Sequence, residues 1–238
     1  MCSSSMSRRD VLSRAALAGA GALATFGLPG GLSASPAPSH IRMPYDEPMP
    51  LTPADALAAL YKGNERFVKG EITAPNRNMA RLKEVAAGQK PFAAVLGCAD
   101  SRVPVEIVFD QGFGDIFVTR IAGNVADPAI IGSLEFGTQV LGAQVLYVLG
   151  HSKCGAVSAT MAGGDVPGQI STLYQHIRRA TKESGGDLNK AIARNVQIQA
   201  EILSEASPVI AARLKDRSLI IAGGVYDLNT GQVTPIAL

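Results

Sequence analysis

The chain has 238 residues, 47% hydrophobic and 18% charged, with a formal net charge of +2. That length suits one α/β domain whose core needs no disulfide framework, and the composition excludes a disordered chain. So small a charge gives a nucleic-acid partner little electrostatic basis, and a chain without tryptophan and with 5% aromatic residues is poorly equipped to stack on bases or sugars.

The N-terminus reads as an address. Ser7-Arg8-Arg9-Asp10-Val11-Leu12 is a twin-arginine pattern, followed by an Ala/Gly-rich apolar stretch from Ala15 to Leu28 and small residues around Ser33-Ala34-Ser35. This is the layout of an export signal, with cleavage expected after about residue 34. It implies passage by the twin-arginine route to a periplasmic or other extracytoplasmic space. No apolar run reaches the roughly 20 residues of a spanning helix, so no membrane span is expected in the mature chain. Losing the signal removes Arg8, Arg9, Arg14 and Asp10 and leaves the remainder nearly neutral. The expected organisation is residues 1–39 as signal and start of an arm, 40–51 as a Pro-rich arm, and 52–238 as the folded domain.

Thr52 can cap a helix with Pro53 at its first position, and Ala56, Leu57, Leu60, Phe67 and Val68 give it an apolar stripe through Gly70. A second helix is predicted over Asn78 to Ala87. Short runs apolar on both faces predict parallel strands at Phe92–Gly97, Asp115–Thr119, Gln144–Gly150 and Ser218–Gly223. Between them the pattern predicts helices at Ile130–Leu141, Cys154–Ala162, Ile170–Lys182 and Asp187–Leu214, the last split by Pro208. Val225 to Val233 reads as a hairpin turning at Asn229-Thr230-Gly231, which adds an edge strand. The fold class expected is α/β, a mainly parallel central sheet flanked by helices with a C-terminal edge strand.

In such sheets ligands sit beyond the carboxyl ends of the strands. Cys98 and His151 each follow a predicted strand, inside Gly97-Cys98-Ala99-Asp100-Ser101-Arg102 and Gly150-His151-Ser152-Lys153-Cys154-Gly155. His151 and Cys154, three apart on a loop entering a helix, can reach one ion. Two thiolates and an imidazole prefer Zn²⁺, and three protein ligands leave a fourth, catalytic position open. The competing expectation comes from the cysteine count: Cys2 lies in the signal, and an exported chain with only Cys98 and Cys154 left often joins them in a disulfide. That alternative makes the domain a binding module without catalysis. Glu106 and Asp110 read as surface charges of a short helix, Lys153 as pointing to solvent, and His176 as a solvent-facing helix residue.

Taken together, the two metal clusters, Gly63-Asn64-Glu65-Arg66-Phe67, Gly114-Asp115-Ile116-Phe117 with Arg120, Ala122-Gly123-Asn124 and Tyr226-Asp227-Leu228-Asn229-Thr230-Gly231 resemble the β-class carbonic anhydrases from about Thr52 to the C-terminus. The resemblance implies one Zn²⁺ per chain held by Cys98, His151 and Cys154, and an Asp100–Arg102 dyad that orients zinc-bound hydroxide towards CO₂, giving bicarbonate and a proton. In some members the aspartate swings onto the metal, which would make Asp100 a fourth ligand. Gln89, Phe117, Phe136 and Gly155 match positions of the substrate pocket. A homodimer or tetramer is implied as well. The same scaffold could instead hydrolyse CS₂ or COS. One departure concerns a non-catalytic bicarbonate site of some bacterial members: Val95 stands where they have tryptophan, although Arg120 matches the arginine of that site.

Overall fold

The computed structural model describes residues 52–238; the expected signal and arm lie outside the described residues. A first helix, α1 (Pro53–Lys69), starts as its sequence predicts. The Thr52 hydroxyl accepts from the Asp55 amide, the Asp55 carboxylate answers on the Thr52 amide, and Gly70 closes the helix in the left-handed region at φ 72°. Helix α2 (Met79–Val85), capped by the Asn78 side chain, leads to strand β1 (Ala93–Gly97). A short α3 (Val105–Val108) and β2 (Ile116–Arg120) follow, then a 3₁₀ turn at Ala122–Asn124. The chain continues through α4 (Pro128–Glu135), β3 (Val145–His151), α5 (Gly155–Ala162), α6 (Ile170–Glu183), α7 (Leu188–Ala206) and α8 (Pro208–Lys215). It ends with the hairpin of β4 (Ile220–Tyr226) and β5 (Val233–Ile236).

The strands form one sheet in the order β2-β1-β3-β4-β5. All neighbours are parallel except β4 and β5, which pair antiparallel. Alternation along the central strands feeds two cores. Ala93 and Val95 of β1 and Val145, Tyr147 and Leu149 of β3 face α1 and α3, packing with Ala56, Leu60, Val105 and Val108. Ala94, Leu96, Leu146 and Val148 face the other way, against Leu134, Val196, Leu203 and Ile210. Among the described residues no helix is long and apolar enough to cross a membrane.

Two expectations need correction. The helix predicted over Ile130–Leu141 is α-helical only to Glu135 and continues as a π-turn over Phe136–Val140. There the Thr138 hydroxyl donates to the Leu134 carbonyl at 2.7 Å, and Arg213 donates to the Thr138 and Ala143 carbonyls. Gly137 permits this turn, because a Cβ would lie 2.7 Å from the Phe117 ring.

The second correction is Asp110. It is fully buried, not a surface charge. Helix α3 ends early and the chain reverses through Asp110 at φ 46°, which turns its carboxylate inward. That carboxylate accepts from Arg66 Nε at 2.7 Å, the Thr73 amide and hydroxyl at 3.1 and 3.0 Å, and the Ala74 amide at 2.9 Å. Burial alone would raise its pKa, but Arg66 and the Thr73 and Ala74 donors more than offset this and hold it below the ordinary value. A depressed carboxyl stabilises the fold above its unfolded pKa of about 4 and loses that contribution as pH falls. Asp110→Ala is therefore expected to cost about 3–5 kcal/mol at neutral pH, the range for breaking a buried pair. Urea unfolding should show the gap to the parent protein narrowing below about pH 4.

Candidate metal centre

Chain order places β1 between β2 and β3, so the path leaves β1 towards one side and β3 towards the other. A crevice opens at the carboxyl ends of strands where direction reverses in this way. Gly97 pairs in register with Leu149, so Cys98, just past β1, stands beside Gly150 and His151 at the end of β3. Cys154 follows three residues later as the cap residue of α5.

One ligand atom from each of Cys98, His151 and Cys154 lies within 4.8 Å of the others, and all three residues are buried. Both cysteines are free thiols, so the disulfide alternative is not what the structure shows. The His151 tautomer follows from its partner. Nδ1 lies 2.9 Å from the Ser152 carbonyl, which can only accept, so Nδ1 carries the proton and Nε2 presents a lone pair. Nε2 is buried without a hydrogen-bond partner. A buried lone pair facing two thiols is costly alone and is satisfied by a tetrahedral cation, so the donor set fits zinc.

The thiols respond to one another. Donation from the Cys154 S–H, then from the Gly123 amide, lowers the Cys98 pKa against the opposing effect of burial. Hydrogen bonding to Cys98 together with burial holds the Cys154 proton on. One thiolate thus forms readily, and the second requires a positive charge beside it. The Gly123 amide donates to Cys98 Sγ at 3.3 Å. Gly123 adopts φ 75°, and a Cβ there would lie 2.6 Å from Ile177. Sequence reasoning gave Gly123 no role at the centre; its place in Ala122-Gly123-Asn124, directly after a strand, was the available signal.

Asp100 stands at the rim. Arg102 grips both carboxylate oxygens, Nε to Oδ1 at 2.9 Å and Nη2 to Oδ2 at 2.7 Å, and its amide adds a third bond to Oδ1 at 3.0 Å. Arg102 holds the carboxyl far below the usual carboxylate range, against a smaller opposing effect of burial. Asp100 Oδ2 is 3.8 Å from His151 Nε2. The ionised carboxylate therefore borders the candidate ligand atoms.

The loop between the later ligands is fixed from the hairpin. The Ser152 amide donates to the Tyr226 carbonyl at 2.8 Å, and its hydroxyl accepts from the Leu228 amide at 2.9 Å. Lys153 adopts φ 56°, and its Nζ donates to Asn229 Oδ1 at 3.2 Å, so this exposed side chain is tethered to the hairpin turn.

The pocket positions separate. Gly155 opens α5 beside Cys154, and a Cβ there would meet nothing within 4 Å. Gln89 is exposed ahead of β1, at the opposite end of that strand from Cys98, about 16 Å of strand rise away. Phe117 and Phe136 pair with centroids 6.3 Å apart, Phe117 near the start of β2 and Phe136 half-exposed on the π-turn. Within one protomer these three do not join the metal-ligating cluster.

Comparison with known proteins agrees with this geometry. Residues 93–233 match the family model described as carbonic anhydrase. The chain is similar to carbonic anhydrase 2 of Mycobacterium tuberculosis, 40% identical over 193 residues, covering 77% of this chain and 93% of that one. A carbonic anhydrase of Mycolicibacterium smegmatis is 38% identical over 189 residues, covering 76% and 92%. Among solved structures, a Coccomyxa β-carbonic anhydrase in complex with acetazolamide superposes with a TM-score of 0.61 at 26% identity, covering 75% and 85%. A tetrameric β-carbonic anhydrase of Sordaria macrospora shares the fold, with a TM-score of 0.60 at 21% identity over 74% and 94%. With three side chains that could hold a metal ion at the carboxyl edge of this sheet and relatives alike over nearly their whole lengths, the chain belongs to the β-class carbonic anhydrases and is an enzyme of that class.

Proposed function

We propose that this enzyme hydrates CO₂ to bicarbonate and a proton at one zinc ion held by Cys98, His151 and Cys154, with Asp100 and Arg102 as the orienting dyad. The observation that carries this is the doubly gripped Asp100 carboxylate, 3.8 Å from the lone-pair nitrogen of His151. Zinc supplies a water whose pKa falls to about 7, so hydroxide is available at neutral pH. Asp100, kept ionised, accepts the O–H of the attacking oxygen and leaves its lone pair directed at the CO₂ carbon. Arg102 holds the carboxylate in that orientation. Its grip on both oxygens favours Asp100 as an orienting group over Asp100 as a fourth ligand.

The Gln89 amide and the Phe117 and Phe136 rings would reach a reaction centre only from a neighbouring copy, which supports an even-numbered homo-oligomer. The tetrameric Sordaria relative and the exposed Phe136 support the same assembly. Sedimentation at micromolar concentration should give a dimer or tetramer; a monomer would remove the shared pocket. Export through the twin-arginine route rests on Arg8-Arg9 and the apolar run after them. Replacing both arginines with lysine should keep the protein in the cytoplasm.

The zinc-loaded protein should show rapid CO₂ hydration in a stopped-flow pH-indicator assay. Hydration at background with fast H₂S release from COS or CS₂ would transfer the chemistry to those substrates.

A further inference from the structure

Arg120 ends β2 opposite Gly97 of β1. Its Nε donates to the carbonyl of Cys98 at 2.9 Å, and its Nη2 donates to the carbonyl of Asp100 at 2.6 Å. The next residue continues the pattern. The Ile121 amide donates to the Gly97 carbonyl at 3.1 Å, and the Ile121 carbonyl accepts from the Ala99 amide at 3.2 Å. The turn from Gly97 to Asp100 therefore has four backbone groups bound by residues 120 and 121. The Ile121 bonds extend the strand pairing. The carbonyls of Cys98 and Asp100 have left the strand ladder, and a guanidinium fork can hold both at once.

We propose that Arg120 is a positioning residue for the reaction, fixing the main chain that carries Cys98 relative to the main chain that carries Asp100. Asp100 is then held at both ends, its carboxylate by Arg102 and its carbonyl by Arg120. Rotation of the turn would change the angle at which Cys98 Sγ meets the ion and the distance from the carboxylate to the attacking oxygen. Two donor ends of Arg120 are committed to this turn, which differs from the bicarbonate-binding part that the matching arginine plays where a tryptophan accompanies it. The inference rests on the roles proposed above for Cys98 and Asp100.

The test compares the full chain with Arg120→Ala and Arg120→Lys, each loaded with zinc for kinetics and with cobalt(II) for its visible spectrum. Arg120→Ala should lower kcat about tenfold to a hundredfold, as expected for a misplaced reacting group, with KM changed less than about twofold. The cobalt absorption bands should shift, because the geometry at the ion changes. Added guanidinium ion should restore part of both kcat and the spectrum, since the clamp is exposed enough to admit it. Arg120→Lys keeps the charge but not the fork and should fall between the two. Unchanged kcat with an unchanged cobalt spectrum in Arg120→Ala would overturn the proposal, as would a rise in KM with kcat preserved. If Arg120→Ala does not fold, Arg120→Lys decides: wild-type kcat and spectrum refute the clamp. A zinc-loaded parent protein without CO₂ hydration refutes the proposed function instead, and the spectral difference between cobalt-loaded parent and variant still decides the clamp.

Discussion

Cys154→Ser should abolish stable zinc binding: elemental analysis is expected to fall from about one zinc per chain to a small fraction of that, because three ligands are the fewest that hold a catalytic zinc. The loss should also appear as stability. A metal that binds only the folded state stabilises it by about 2.7 kcal/mol at a free concentration 100 times its dissociation constant. Chelation should therefore lower the melting temperature of the parent protein and leave that of the variant unmoved. The two thiols also give the pH dependence its sign. Both must be thiolates to bind, while in the metal-free cluster Cys98 ionises at the expense of Cys154. Binding releases protons, so zinc affinity should weaken as pH falls. Full zinc occupancy in Cys154→Ser would remove Cys154 from the ligand set.

Asp100→Asn should keep its zinc and lose most of its turnover. The amide is nearly isosteric, but it can place an N–H donor where the carboxylate accepted, so the attacking oxygen loses its orienting acceptor. A fall in kcat of about a hundredfold or more is expected, within the range for a positioned proton-handling group. Stability should change little, because Arg102 is half-exposed and can turn to water. The depressed pKa of Asp100 adds a second check. A lowered carboxyl pKa keeps the orienting anion present above about pH 4 and through the neutral range, so acid loss of activity near pH 6 to 7 should report other groups, and Asp100→Asn should scale the pH–rate profile down without moving its midpoint. Wild-type turnover in Asp100→Asn would exclude the dyad.

The element order was legible because parallel strands covered on both faces leave uninterrupted apolar runs such as Phe92–Gly97 and Gln144–Gly150, while the Thr52 cap and Pro208 mark where helices begin. The candidate ligands were legible for a related reason: both clusters sit where an apolar run ends. Asp110 was not legible as a buried group. Its local pattern is that of a helix surface, and its partners Arg66, Thr73 and Ala74 lie about 40 positions earlier in the chain. The π-turn at Phe136 was hidden likewise, since Phe117 and Arg213, which shape it, come from separate elements.

By itself, then, the sequence determined which segments become strands and helices and which side chains are candidates for metal chemistry, since periodicity, capping and ligand type are local properties. Tertiary structure alone decided that Cys98 stands beside His151, and that Gly123 and Arg120 hold the turn carrying Cys98. Those relations are set by strand order and register across a sheet, where residues more than 20 positions apart are brought within hydrogen-bond distance, and no short-range pattern encodes such distances.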